Sequence, residues 1–128
     1  MPHYNTALRN AQNDAITTAV GNAGKLQIYD GTQPAAGGTA TNKLAEFTLG
    51  TPFSGASSAS VLSPTLPSNT TGLFAGTATW FRITTSAAAW VIDGTAGISG
   101  TELILNTAVI SIGLTVSVTG FTITAGNA

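Results

Sequence analysis

Apolar positions recur at helical spacing once in this chain and at alternating spacing thereafter. Leu8, Ala11, Ala15 and Ala19 are spaced by three and four residues, and Ile16 and Val20 widen the stripe, which predicts a helix over residues 5–20. Asn5 or Thr6 can cap its start, and Gly21 stands where helices commonly stop. Most of the stripe is alanine and Thr17-Thr18 lowers helix propensity, so this helix needs a partner surface, either its own β domain or an adjacent subunit. From Gly24 onward the texture is strands and turns. Lys25–Asp30 alternates with Leu26 and Ile28 on one face and ends at Asp30-Gly31-Thr32. Residues 33–42 form a loop, and Leu44–Leu49 reads as a second strand stopped by Gly50 and Pro52.

Residues 53–76 are Ser, Ala, Gly and Pro with one short apolar piece, Val61-Leu62, and predict loops around a short or edge strand. Thr77–Thr84 places Phe81 and Ile83 on one face and Trp80 and Arg82 on the other. A turn over residues 85–88 leads to Ala89–Asp93, so these two segments predict a hairpin. Glu102–Asn106 and Ala108–Ile112 follow. In the last run Val116 and Val118 share one parity and Phe121 and Ile123 the other, with Gly120 at the switch, where a bulge would return both pairs to one face. Seven or eight short strands predict an all-β domain, a β-sandwich or barrel, over residues 25–128, preceded by a helical segment over residues 1–24.

Composition narrows the function classes. Only 7% of the 128 residues are charged, against roughly 25% in an ordinary domain, and 22 threonines, 20 alanines, 15 glycines and 10 serines fill the gap. A net charge of −1 without a basic run gives no electrostatic footprint for nucleic acid. No apolar run approaches a membrane helix, and Met1-Pro2-His3-Tyr4-Asn5 lacks the basic-then-apolar layout of a signal peptide. Without cysteine there is no disulfide framework, thiol nucleophile or zinc finger. Hydroxyls are far less costly to bury than charges, so such a surface suits a protein packed against neighbours.

Candidate chemistry is sparse. His3 is the sole histidine, close to the N-terminus, and a Ser-His-Asp arrangement could be built only through it. The five carboxylates are dispersed without EF-hand spacing. Asp93 and Glu102 could meet across strands as a glycosidase-like pair, although Asp93 in Asp93-Gly94-Thr95 fits better as the cap of a strand-ending turn. Gly94 to Gly100 has the glycines of a phosphate loop but leads into a strand and lacks a helix dipole. Asn69-Thr70-Thr71 matches a glycosylation pattern that a Thr-rich chain produces by chance. Trp80 and Trp90 can be core, subunit interface or a sugar-stacking platform; no cluster of Asn, Asp or Gln accompanies them, which favours core or interface. No catalytic, cofactor or metal residue is assigned. The interface candidates are Leu8, Ile16, Val20, Trp80 and Trp90.

Several short motifs carry a family resemblance. Thr6-Ala7-Leu8-Arg9-Asn10, then Gly24-Lys25-Leu26-Gln27-Ile28-Tyr29-Asp30-Gly31-Thr32-Gln33-Pro34, then Trp80-Phe81-Arg82 and Val91-Ile92-Asp93-Gly94-Thr95-Ala96-Gly97, resemble segments of small tailed-phage virion proteins. Residues 35–76 add nothing to the likeness. The resemblance implies a non-enzymatic structural role in the virion. Within that class, small β-rich chains are similar to capsid cement, or decoration, proteins, which implies a single β-sandwich of jelly-roll-like form and a homotrimer on the outer capsid surface whose partner is the major capsid protein. It implies no nucleic acid, membrane, cofactor or small-molecule substrate. A tail, baseplate or fibre component is the alternative inside the virion, a carbohydrate-binding or adhesin module the alternative outside it, and an enzyme working through His3 comes third.

Overall fold

The computed structural model describes residues 3–35, 37–50 and 52–124. Helix α1 (Thr6–Val20) begins as the pattern predicts: the Asn5 side-chain oxygen accepts from the Leu8 amide at 2.8 Å, and Gly21 turns out of the helix at φ 70° with its amide on the Thr17 carbonyl. The docked face differs from the alanine stripe. Leu8, Ala11, Ala15 and Ala19 are exposed, whereas Asn13 and Val20 are buried and Asn10, Asp14, Ile16 and Thr17 are half-buried. Polar groups hold the helix. Asn10 Oδ1 accepts from the Ser60 amide at 2.9 Å, Asn13 Nδ2 donates to the Ser60 carbonyl at 2.8 Å, and Asp14 Oδ1 accepts from the Ser57 amide at 2.8 Å. Ala59 and Ser60 sit at positive φ in a tight turn closed by reciprocal Ser58–Val61 backbone hydrogen bonds, and the helix side chains satisfy the backbone groups of Ser57 and Ser60. Asn13→Ala would leave the Ser60 carbonyl without that donor in a buried setting. The expected loss is about 1–3 kcal/mol, read by urea unfolding, with faster hydrogen exchange across α1.

The protein is mostly β beyond the helix. Strands β1 (Lys25–Tyr29), β2 (Lys43–Thr48), β6 (Trp80–Thr84), β7 (Trp90–Gly97), β8 (Leu103–Leu105) and β11 (Val118–Phe121) form a curled six-stranded sheet, half a barrel in outline, in the order β11-β8-β7-β6-β1-β2. Neighbours are antiparallel except β7 and β8, which run parallel through Ala96↔Leu103 and Gly97↔Ile104, so the sheet is mixed. The expected β6–β7 hairpin forms, with Phe81 opposite Gly94 and Arg82 opposite Asp93. Here the expected turn at Asp93-Gly94-Thr95 gives way to strand: β7 continues through Gly97. A Cβ at Gly94 would stand 2.6 Å from the Phe81 ring, so glycine serves close packing at this position. The register of β11 shifts between Val118 and Gly120, and Val118 and Phe121 are both buried.

Three short pairs complete the chain: β3 (Val61–Leu62) with β12 (Ile123–Thr124), β4 (Thr70–Thr71) with β10 (Thr115–Val116), and β5 (Gly76–Thr77) with β9 (Val109–Ile110). Their buried members Leu62, Ile110, Val116 and Ile123 join one core with the inner face of the sheet, where Leu26, Ile28, Phe47, Phe81 and Ile83 lie. Phe121 packs edge-on against both Phe53 and Phe81.

Candidate functional site

The outer face of the curled sheet holds most of the charge. Register places Glu46, Gln27, Arg82 and Asp93 in one row across β2, β1, β6 and β7. Lys43, Tyr29, Trp80 and Thr95 form the next row, and Thr48, Lys25, Thr84 and Trp90 a third. Charges that are far apart in sequence thus meet on one surface. They are then consumed pairwise. Arg82 meets Asp93 through Nε–Oδ1 at 2.8 Å and Nη2–Oδ2 at 3.0 Å, with side chains only 11% and 5% exposed. Lys43 Nζ and Gln27 Nε2 each reach Glu46 Oε2 at 3.0 Å, and the Tyr29 hydroxyl donates to Gln27 Oε1 at 2.8 Å.

The loop between β1 and β2 folds over this face. Trp80 is buried with its ring stacked on Tyr29 at 4.4 Å between centroids, and the Arg82 guanidinium stands 5.2 Å from the indole centroid. Trp80 Nε1 donates to the Asp30 carbonyl at 2.9 Å and to Thr41 Oγ1 at 3.1 Å, and Arg82 Nη2 donates to the Gly38 carbonyl at 2.8 Å. Thr41 Oγ1 also donates to the Asp30 carbonyl. The Trp90 ring lies against Gly37 and remains 47% exposed. A loop with no large apolar residue is therefore held down by an indole and a guanidinium. Polar networks in such partly dry surroundings fix one conformation when every member is satisfied.

Local electrostatics follow from this pairing. Burial alone would raise the Glu46 carboxyl, but the hydrogen bonds from Lys43 and Gln27, with the charges of Lys43 and Lys25, outweigh it and hold the group below its ordinary value of 4.5. Burial is the main reason that the Tyr29 hydroxyl is raised above its ordinary 10.0. Arg82 is raised chiefly by its hydrogen bond to Asp93 and stays charged. A lowered folded value favours the ionised form, so the Glu46 contribution is present above about pH 4.5 and lost as pH falls through the lower folded value. The raised Tyr29 value acts oppositely: its contribution is present below pH 10.0 and lost as pH rises beyond it. Because Lys43 and Glu46 remain partly exposed, the acid-limb effect should be a few tenths of a kcal/mol. Melting temperature followed against pH should show it, with a flatter acid limb in Glu46→Gln.

The residues singled out from sequence lie in separate places. Leu8 is exposed on α1, Ile16 packs partly buried against the core, Val20 and Trp80 are buried within the chain, and Trp90 is half-exposed at the start of β7. His3 is exposed. Asp93 and Glu102 go to different partners: Glu102 Oε1 accepts from the Thr95 amide and hydroxyl at 3.2 and 3.3 Å, whereas Asp93 binds Arg82. Among the described residues no three His, Asp or Glu side chains converge as a metal site requires, and no helix is long and apolar enough to cross a membrane. Sequence reasoning passed over Tyr29 and the Arg82–Asp93 pair. Their signal was the shared outer parity of Tyr29, Trp80 and Arg82, and the hairpin register that sets Asp93 opposite Arg82. The fold defines a mostly β domain with one helix docked by polar side chains. Compared with known proteins, the chain matches no family model, no curated sequence and no solved structure.

Proposed function

We propose that this chain is a non-enzymatic structural protein of a tailed-phage virion, a capsid cement or decoration protein that sits as a homotrimer on the outside of the head and bridges the major capsid protein. The observation that carries this reading is the segregation of charge. Residues 47–81 and 103–128 contain no charged side chain, so strands β3, β4, β5 and β9 to β12 are charge-free, while the outer face of the sheet holds Lys25, Lys43, Glu46, Arg82 and Asp93. A charge-free, hydroxyl-rich surface is unusual on a protein that must stay dispersed and natural on one whose surface is covered in an assembly. Its contacts would be little weakened by salt, having few ion pairs to screen. A small contact repeated by symmetry over a shell gains from avidity. A jelly-roll-like closure belongs to the same proposal: the short pairs β3–β12, β4–β10 and β5–β9 share a core with the curled sheet, as a second layer would.

An adhesin built on paired indoles loses its main support, because Trp80 is buried under the β1–β2 loop and only Trp90 is available to stack on a sugar. The test is addition of the purified protein to capsids that lack it. Binding in many copies over the head, with greater resistance to heat, is the expected result. Label confined to the tail moves the protein to the tail or baseplate. Absence of binding to any part of the particle overturns the reading.

A further inference from the structure

The charge-free side ends in an apolar tip that no part of the described chain covers. Two loops build it, 72–75 and 111–114, and backbone hydrogen bonds clasp them together: the Gly72 amide donates to the Leu114 carbonyl at 2.8 Å and the Gly113 amide to the Gly72 carbonyl at 3.0 Å. Strand pairs β4–β10 and β5–β9 flank the clasp, so the tip is an ordered element of the fold. It presents Phe74 at 60% exposure, Val109 at 67% and Ile112 at 73%, with Leu73 and Leu114 also exposed. Single exposed apolar residues are ordinary on any protein. Five on backbone-linked segments, with no charge among them, come to about 500 Å², at the upper end of what a monomer displays.

Area and charge together indicate what covers the tip. A contact in which two such patches meet buries about 1,000 Å² in total, the scale at which specific association begins. The tip segments carry no charge, and the nearest cation, Lys43, only borders them beside Phe74; a partner's charges would be stripped of water over most of this surface with little to pair with them. A second copy of the same tip imposes no such cost. Copies that gather this tip about a two-fold or three-fold axis close into a finite assembly. The charged face is less suited, since the chain's own β1–β2 loop covers Trp80 and Arg82 there and the charges left exposed, Lys43 and Glu46, would lose water on contact.

We infer that the tip carrying Phe74, Val109 and Ile112 is the surface through which copies of this chain associate. This gives the self-association in the proposed function its surface, and it rests on that reading only for the number of copies. Sedimentation velocity of the full chain tests it over about a hundredfold range of concentration, where mass action exposes a self-association equilibrium. The wild type should sediment as an oligomer with little change between low and high salt. Ile112→Asp and Phe74→Asp should each weaken association about thirtyfold or more, while Ala87→Asp in the exposed β6–β7 turn should not. Circular dichroism checks that the variants fold. Ile112 is the more exposed of the two and decides the matter if Phe74→Asp unfolds. A wild type that stays monomeric overturns the inference, as does an oligomer indifferent to Ile112→Asp. A monomer that still decorates particles would overturn the interface and leave the virion role standing. An oligomer dissociated by Ile112→Asp but unable to bind particles would do the reverse.

Discussion

Trp80→Ala is expected to destabilise the protein by about 3–5 kcal/mol, a large part of the roughly 5–15 kcal/mol that holds a typical domain together. Three losses combine at this position. The ring leaves a cavity under the β1–β2 loop where it had stacked on Tyr29. The Arg82 guanidinium loses the face it stands over. The indole N–H no longer ties β6 to the Asp30 carbonyl and Thr41. Trp80→Phe keeps the stacking and gives up the donor. Because the Asp30 carbonyl retains the Thr41 hydroxyl, that change should cost only about 1–2 kcal/mol. Urea unfolding ranks the two variants, and hydrogen exchange locates the damage, with the backbone between β1 and β2 exchanging faster in Trp80→Ala. A loss below about 1 kcal/mol would mean that the ring contributes only what a surface residue does.

Why the sequence disclosed one side of the sheet and not the other is a matter of what covers each. Alternation in Lys25–Tyr29 and Trp80–Thr84 marks Leu26, Ile28, Phe81 and Ile83 as inward because apolar side chains bury against apolar side chains, and that is where they lie. The same alternation treats Gln27, Tyr29 and Arg82 as solvent-facing. Arg82 and its neighbour Trp80 are covered by the β1–β2 loop, whose carbonyls accept their hydrogen bonds, and Gln27 and Tyr29 join the polar network beside them, attractions that a hydropathy pattern does not register. The helix repeats the lesson. Its extent follows from Asn5 and Gly21, but its docked face follows from Asn10, Asn13 and Asp14, chosen by the unpaired backbone of Ser57 and Ser60. In β7 the Asp-Gly-Thr turn signature was overridden by pairing with β6, where Gly94 makes room for Phe81. The scarcity of charge was visible at once. Its segregation was not, because one sheet collects residues scattered from Lys25 to Asp93.

Asp93→Ala should be the second severe substitution, at about 3 kcal/mol or more. The Arg82 guanidinium would then sit almost enclosed, with the Gly38 carbonyl as its remaining hydrogen-bond acceptor in the network and no counter-charge. The cost comes from that stranded cation rather than from the attraction lost, so removing both charges should restore much of the stability. Arg82→Met combined with Asp93→Leu is therefore expected to be more stable than Asp93→Ala alone, by about 1–2 kcal/mol or more. The double variant should still loosen the loop, because Met cannot donate to Gly38 as Arg82 does. Denaturant unfolding of the two single variants and the double variant closes the cycle. A near-zero coupling energy would place this pair with ordinary surface ion pairs, worth about 0–1 kcal/mol, despite its burial. A coupling of about 2 kcal/mol or more would explain why a chain so poor in charge keeps this pair. Arg82 and Asp93 join β6 to β7 and, through Gly38, seat the loop that covers Trp80, which hydroxyls alone could not do with the same directional grip.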